Sequence, residues 1–303
     1  MAHTNKAITN NETGFIALTC LILGGALLGL STNLAKLAGE LQLSPLAFLS
    51  WSIGCAAVIL LVLAGIRGKW PPITGRTLEY YGVSALVGVA GSNLIFFSAV
   101  PHVGAGFVAL IISLPPLLTY GGALLLGIEK FNVARALGIV AALMGAGVLA
   151  ANKLAAPNAN ILWILLALLG PVLLAIGNLY RTLRWPIGVS ADVLAPGMLV
   201  AAAIMLFSAS LLPGFSLTVP TRTLPVLLIA VQALVFAGQF LLLFILQKHG
   251  GPVMLSLLGA VGAVVGVPVA VYLQGEAPPQ GLLIGALLIG TGVALVTFGK
   301  ARK

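Results

Sequence analysis

The sequence has very few charged residues. Lys, Arg, Asp and Glu make up 7% of the 303 residues, whereas ordinary globular domains carry about 25%. A water-soluble fold needs a charged surface, and 15 basic and 6 acidic side chains in a chain that is 60% hydrophobic cannot provide one. The composition therefore predicts an all-α polytopic membrane protein that has the lipid bilayer as a partner and does not bind nucleic acid.

The sequence is also poor in the groups that support catalysis or hold cofactors. It contains three His and two Cys, and Cys20 and Cys55 both lie in apolar runs, where they are small core residues and not a disulfide or metal pair. We find no P-loop, no metal-ligand cluster and no catalytic triad. We therefore expect no cofactor and no enzymatic activity. A membrane-embedded enzyme acting on a lipid is the less favoured alternative, because it would need an acidic or His cluster near the interface.

Ten apolar runs come close to the ~20 residues that a helix needs to cross a bilayer core of ~30 Å. Helices are expected because backbone exposed to lipid must satisfy its own hydrogen bonds. The predicted spans are Phe15–Ala35, Pro45–Gly65, Tyr80–Val100, Ala105–Leu126, Ala134–Ala151, Ile161–Tyr180, Val193–Leu212, Pro225–Leu246, Val253–Leu273 and Leu282–Gly299.

The basic residues are distributed unevenly between the loops. If the N-terminus is cytoplasmic, only Lys36, Lys153 and Arg222 of the 15 basic residues fall on the opposite side. The other twelve fall on the cytoplasmic side, among them Arg181 and Arg184 in the loop after the sixth predicted span. This bias predicts that both termini are cytoplasmic.

A long segment of the first half recurs in the second half. The segment from His102 to Leu149 is echoed 147 residues later (249 − 102), and this spacing pairs His102 with His249 and Glu129 with Glu276. His and Glu are rare in this chain, so the two pairs favour a true internal repeat. The alternative is that two similar pairs of apolar helices carry the same rare residues by coincidence.

Each half of the chain contains five predicted spans, and an odd number makes the halves cross the membrane in opposite directions. Two inverted repeats are a common plan for secondary transporters. The predicted organisation is an N-terminal tail (1–14), a first five-helix repeat (15–151), a second, inverted repeat (152–299) and a C-terminal tail (300–303).

Two matching segments carry a resemblance to a known family. The first reads Pro115-Pro116, then Leu126-Gly-Ile-Glu129, Gly138 and Gly145-Ala-Gly147, and the second reads Gln274-Gly-Glu276, Gly285 and Gly290-Thr-Gly292. With ten helices in two halves, the chain resembles the EamA-type exporters of the drug/metabolite transporter superfamily. It is most similar to bacterial exporters of amino acids, including aromatic ones. The chain departs from the family in two places, with Phe48-Leu-Ser-Trp51 where an Arg is common and Gly262-Ala263 in place of the second proline pair.

The resemblance implies a multi-pass protein of the bacterial inner membrane that exports small organic solutes, most of all amino acids with broad specificity. It also implies alternating access through a central cavity. The alternative is an exporter of other drugs or metabolites. Glycine-rich faces on the fifth and tenth spans can pack within the monomer or between subunits, and the second alternative predicts a homo-oligomer.

Polar residues inside the predicted spans are the candidates for substrate binding, because such residues are costly in a membrane and usually face a cavity or a partner helix. The 147-residue offset pairs Ser92 of the third span with Gln239 of the eighth, and Asn93 is adjacent. Pro115 and Pro116 would free backbone carbonyls near Ile111 and Ile112. Helix–helix hydrogen bonding is the alternative role for the Ser, Asn and Gln side chains.

Further candidates lie nearer the two sides of the membrane. Asn33 lies toward the outer side and Asn178 toward the inner side, as expected for two gates, while Trp163 is either a cavity wall or an interfacial anchor. The full candidate set for substrate binding is Asn33, Ser92, Asn93, Pro115, Pro116, Trp163, Asn178 and Gln239.

No predicted span carries a charged residue at mid-depth. We therefore expect an uncharged cavity that suits a zwitterion, and facilitated export without a visible proton relay. Glu129 and Glu276 end their helices, and we expect each to cap the N-terminus of the following helix, with a gating role as the alternative.

Overall fold

The computed structural model describes residues 2–127, 130–154, 160–278 and 280–298, and these residues form helices without strands. Glu129 and the predicted C-terminal tail (300–303) lie outside the described residues. The helices are α1 (Ala2–Glu40), α2 (Pro45–Ile66), α3 (Gly75–Ala85), α4 (Gly91–Val103), α5 (Ala105–Ile111), α6 (Pro115–Leu125), α7 (Val133–Leu154), α8 (Ile161–Leu183), α9 (Ala191–Ala209), α10 (Thr223–Ser256), α11 (Leu258–Pro268) and α12 (Leu282–Phe298). Two π-helical segments, Leu86–Ala90 and Val269–Leu273, join α3 to α4 and extend α11.

The prediction of an all-α polytopic membrane protein is confirmed for the described residues. Seven helical stretches are long and apolar enough to cross a membrane: Phe15–Glu40, Pro45–Ile66, Gly75–Val103, Ala105–Leu125, Ile161–Leu183, Ala191–Ala209 and Thr223–His249. The other three predicted spans coincide with shorter apolar helices of 10–17 residues, at Val133–Leu149, Leu258–Leu273 and Leu282–Leu295. Ten crossings therefore stay a prediction, which depends on these three helices.

Local side-chain chemistry accounts for several helix starts. The Ser44 side chain accepts a hydrogen bond from the Ala47 amide at 3.1 Å, and Pro45 occupies the first turn of α2, where its missing N–H costs nothing. Thr74 and Thr77 form a reciprocal capping box at the start of α3. The same polar residue types that interrupt the apolar runs therefore fix where the helices begin.

The stretch from α5 to α6 is broken in its middle, where the sequence predicts freed carbonyls. The helix ends at Ile111 and starts again at Pro115. The Ile111 carbonyl accepts a bond from the Leu114 amide at 3.0 Å. The Ile112 carbonyl receives none from the chain that follows, because the donors three and four residues on would be Pro115 and Pro116.

The helices pack in a regular set of pairs. α1 packs against α10 and α11, and α8 packs against α4 and α6. α2 packs against α9, and α7 packs against α12. A Cβ added at Gly145 of α7 would lie 2.7 Å from the Gly285 carbonyl oxygen of α12, so only glycine permits this approach.

Polar contacts gather at the two ends of the helix bundle. At the first end, where α1 terminates, the Ser44 hydroxyl donates to the Ser216 carbonyl at 2.9 Å. At the second end, where α2 terminates, Lys69 Nζ lies 3.2 Å from Asp192 Oδ2. We call these the Lys36 end and the Lys69 end, after a basic residue at each.

Candidate functional site

A narrow cleft with a cavity volume of about 50 Å³ lies among the helices of the bundle. Its walls come from α1, the π-helical segment Leu86–Ala90, α4, the break between α5 and α6, α8, α10 and α11. The lining is mostly apolar, with four polar side chains: Asn93, Asn178, Arg181 and Gln239. A mainly apolar cleft with a few convergent polar groups is the usual form of a small-molecule site.

The cleft brings together half of the predicted substrate-binding residues. Asn93, Pro115, Asn178 and Gln239 line it. Ser92 and Pro116, adjacent in sequence to two of them, are buried but do not line it.

Arg181 overturns the prediction of an uncharged cavity. The predicted sixth span ends at Tyr180 and leaves Arg181 in a loop, but α8 continues to Leu183. The Arg181 side chain is 1% exposed and lines the cleft. Because a helical Cβ points toward the helix N-terminus, an Arg in the last turn of α8 can reach back into the bundle.

Two neighbours determine how the guanidinium is held. Arg181 Nη2 donates to Asn178 Oδ1 at 2.7 Å, one helical turn earlier. A Cβ added at Gly88 would overlap with Arg181 Nη1, so the missing side chain of Gly88 makes room for the guanidinium. Arg181 Nε and Nη1 have no hydrogen-bond partner in the part of the chain that the structure describes.

The cleft also has hydrogen-bond acceptors without a donor. Gln239 Oε1 is buried and unpaired among the described residues. Ile112 lines the cleft, and its carbonyl lacks the donors that Pro115 and Pro116 cannot supply. The cleft therefore presents unpaired donors from α8 and an unpaired acceptor from α10. At the α5–α6 break the Ile112 carbonyl has no donor from the prolines, and its oxygen packs against Gly259 of α11.

Aromatic rings pack beside Arg181 at the Lys69 end. The Tyr80 ring stacks on Tyr180 with centroids 6.1 Å apart and meets the edge of Trp185 at 6.5 Å. Trp185 also contacts Phe244, with centroids 6.0 Å apart. Tyr80 is 1% exposed, and Tyr180 directly precedes Arg181, so these rings pack at the end of α8 that carries the guanidinium.

The predicted residues Asn33 and Trp163 lie outside the cleft lining. Asn33 Nδ2 donates to the carbonyls of Gly29 at 2.9 Å and Gly266 at 3.0 Å, which ties α1 to α11. Trp163 stacks on His102, with centroids 4.2 Å apart and ring planes 9° apart. In this structure, therefore, Asn33 and Trp163 contact other parts of the protein and not the cleft.

Glu276 caps a helix N-terminus, but not the one that follows it in the sequence. Its carboxylate accepts from the amides of Ala105 at 2.9 Å and Gly106 at 2.7 Å, at the start of α5. Lys36 Nζ lies 3.9 Å from Glu276 Oε1. The turn after the second π-helical segment brings Glu276 to α5, because Gly275 adopts a positive φ of 62°.

Comparisons with known proteins agree with this architecture. Residues 15–151 match the EamA-like transporter family. A crystal structure of another protein, 19% identical in sequence, superposes with a TM-score of 0.65 and covers 95% of this chain and 97% of the other. No curated protein sequence matches the chain.

The solved structure shows that the whole described fold is shared with a known protein, while the family match covers the first half. The resemblance to the drug/metabolite transporter superfamily is confirmed. The chain has the apolar helices of a multi-pass membrane protein, and over residues 15–151 it is similar to the EamA-like transporter family.

Proposed function

We propose that the protein is a secondary transporter that exports small organic solutes, most of all amino acids with broad specificity, by alternating access. We place it in a bacterial inner membrane, with ten transmembrane helices in two inverted halves and both termini cytoplasmic. The observation that carries the proposal is that the cleft is lined by equivalent positions of the two halves.

The lining residues pair under the offset found in the sequence. With an offset of 147, Asn93 pairs with Phe240 (240 − 93), Phe96 with Leu243 and Ile112 with Gly259, and all six line the cleft. With the offset of 146 that aligns the first helices, Leu28 pairs with Leu174, and both line it as well. This pattern supports a cleft on the axis that relates the halves, where secondary transporters bind their solutes.

The helix packing supports the same relation. If the halves are equivalent, α1 corresponds to α8, α4 to α10 and α6 to α11. The contacts of α1 with α10 and α11 then correspond to those of α8 with α4 and α6, and all four are present. α7 corresponds to α12, so the contact between these two helices is its own counterpart. Gly145 meets the Gly285 carbonyl and Gly292 meets the Gly138 carbonyl, each 147 residues from its counterpart.

Alternating access requires one side to be closed while the other opens. At the Lys36 end, Glu276 and Lys36 link α1, α5 and the segment after α11. Toward the Lys69 end, the cleft reaches Arg181 in the last turn of α8. We propose that the Lys36 end is the outer side, closed in this structure, and that export requires the Glu276 contacts to break.

The inverted repeat makes a prediction about the α7–α12 contact. Gly145→Ala and Gly292→Ala should each destabilise the protein by a similar amount, roughly 1–3 kcal/mol, because each Cβ would meet backbone across the same contact. Gly147→Ala and Gly290→Ala are matched controls in the same helices, since an added Cβ meets nothing within 4 Å at either position. The measurement is the free energy of unfolding in mixed micelles. An effect at only one of the two buried glycines would contradict the repeat.

The experiment that tests the proposed function is uptake of a panel of radiolabelled amino acids into proteoliposomes, with and without an imposed proton gradient. We expect saturable flux of several amino acids of different size without the gradient, and lower flux in a Gln239→Ala variant. If no amino acid moves while another metabolite does, the substrate class is wrong and the transporter fold remains. A strict need for the gradient would contradict facilitated export.

A further inference from the structure

We infer that Arg181 binds the carboxylate of the solute, and that Gln239 Oε1 and the Ile112 carbonyl bind its ammonium group. This inference rests on the proposed function and deepens it: the site would recognise the zwitterionic end common to all α-amino acids. It would leave the side chain to the apolar part of the cleft.

The first argument is the uncompensated charge of Arg181. A guanidinium that is 1% exposed needs a counter-charge or a full set of acceptors. The ion pairs among the described residues are Lys36–Glu276 and Lys69–Asp192, and neither involves Arg181. Glu79, the residue before Tyr80, accepts a hydrogen bond from the Tyr180 hydroxyl at 3.2 Å instead. The counter-charge that this site lacks is what a bound carboxylate would supply.

The second argument is how the guanidinium is positioned. Asn178 accepts from Nη2 and thereby fixes the orientation of the side chain, while Nη1 occupies the space left by the missing side chain of Gly88. Arg has five N–H donors in a rigid plane and no acceptor. With one donor committed to Asn178, unpaired donors remain for carboxylate oxygens, and such charge-assisted hydrogen bonds are about twice as strong as neutral ones.

The third argument is the placement of acceptors in the same cleft. An ammonium group has three donors and no acceptor, so it needs oxygen atoms. Gln239 Oε1 has no partner among the described residues. Pro115 and Pro116 have no N–H to donate to the Ile112 carbonyl. Simple anions such as phosphate would use the donors of Arg181 and leave these acceptors unpaired. A zwitterion satisfies both sets.

The apolar lining completes the site. Phe96, Phe240, Leu243 and Leu255 present carbon surface beside the polar groups. Apolar walls discriminate weakly between side chains that differ by a methylene. A fixed site for the backbone groups with an apolar wall for the side chain accounts for broad specificity within a strict requirement for a free carboxylate and a free amine.

The test is isothermal titration calorimetry on the full-length protein in detergent with three ligands. Leucine carries both charges, leucinamide lacks the carboxylate and N-acetylleucine lacks the ammonium. We expect leucine to bind at least about 10-fold more tightly than either analogue, because each analogue loses a charge-assisted hydrogen bond. In Arg181→Met, leucine should bind as weakly as leucinamide. In Gln239→Leu, the preference for leucine over N-acetylleucine should shrink while the preference over leucinamide remains.

Two further variants separate recognition from folding. Arg184→Gln removes an exposed basic residue three positions on and should leave all three affinities unchanged. Arg181→Lys keeps the charge and should retain part of the preference for leucine over leucinamide, which a purely structural role would not predict. The thermal midpoint of each variant shows whether it is folded.

The outcomes distinguish this inference from the proposed function. If leucine binds and is transported but the preference over leucinamide is absent, or survives in a folded Arg181→Met variant, the inference is wrong and the transporter proposal stands. If none of the three ligands binds and no amino acid is transported, the amino-acid proposal fails and the inference fails with it.

Discussion

The Lys36 end and the cleft both contain charged groups away from bulk water, but they differ in whether those groups have partners. At the Lys36 end, the Glu276 carboxylate accepts two amide hydrogen bonds and lies beside Lys36. In the cleft, Arg181 has a single side-chain partner, and two of its nitrogens have none among the described residues. The protein leaves its charge unpaired where the proposed solute binds, and pairs it where helices must be held together.

The same contrast appears along a single helix. Gln232 and Gln239 lie two turns apart on α10, and both are buried. Both Oε1 atoms are unpaired among the described residues. Gln232 Nε2 donates to the Ser31 hydroxyl at 2.6 Å, whereas Gln239 lines the cleft and makes no hydrogen bond within the part of the chain that the structure describes. Paired polar groups should therefore contribute to stability, and unpaired ones should contribute to binding at the expense of stability.

The largest effect on stability is expected from Glu276→Ala. The change leaves two amides at the start of α5 without an acceptor and Lys36 without its carboxylate. We expect the free energy of unfolding in mixed micelles to fall by about 3 kcal/mol. Glu276→Gln keeps an acceptor oxygen and should lose roughly half as much. No loss in either variant would mean that the contact does not hold the Lys36 end together.

Arg181→Met is expected to stabilise the protein, in contrast to Glu276→Ala. Replacing an uncompensated buried charge with an apolar side chain of similar length should raise the free energy of unfolding by about 1–2 kcal/mol. The same measurement on Arg184→Gln should show a change within about 0.5 kcal/mol, because Arg184 is exposed. A marked loss of stability in Arg181→Met would show that the guanidinium is structural, and the contrast between the two regions would disappear.

Substitutions of the two glutamines of α10 should also differ in their effect on the free energy of unfolding, by a smaller amount. Gln232→Leu removes a buried hydrogen bond and should cost about 1 kcal/mol. Gln239→Leu removes an unpaired acceptor and should be neutral or slightly stabilising, while it weakens leucine binding. Unfolding in mixed micelles and calorimetric titration measure the two effects independently. Equal losses of stability in both variants would remove the distinction.

The smallest effect is expected from Lys36→Met. Lys36 Nζ lies 3.9 Å from Glu276 Oε1, and both side chains are partly exposed, at 20% and 17%. A pair of this kind contributes about 0–1 kcal/mol, so the free energy of unfolding should fall by less than that of Glu276→Ala. A larger loss in Lys36→Met than in Glu276→Ala would show that the two amides of α5 contribute little.

Much of the fold could be predicted from the sequence, because the length of an apolar run and the residues that interrupt it are local signals. The apolar runs coincide with helices, and the break at Pro115 and Pro116 follows from the missing N–H groups of proline. The candidate residues at the centre of the cleft, Asn93 and Gln239, were likewise visible as polar groups inside apolar runs.

The remaining features depend on contacts that no local pattern encodes. The sequence places Arg181 in a loop because a charged residue normally ends an apolar run. In the structure α8 continues past it, and Gly88 makes room for its guanidinium. Its position three residues after Asn178 was the available signal, since that spacing places both on one helix face. Glu276 accepts hydrogen bonds from amides 171 and 170 residues earlier, and its position in the sequence could not identify these partners.

The most direct test of the central claim, that a solute crosses through the Arg181 cleft, is the initial rate of radiolabelled leucine uptake into proteoliposomes. Four matched preparations are needed: the unchanged protein, Arg184→Gln, Arg181→Met and empty liposomes. We predict equal saturable rates for the first two and a rate at least about 10-fold lower for Arg181→Met, because the solute carboxylate loses its charge-assisted hydrogen bonds. An Arg181→Met rate equal to that of the unchanged protein would contradict the account.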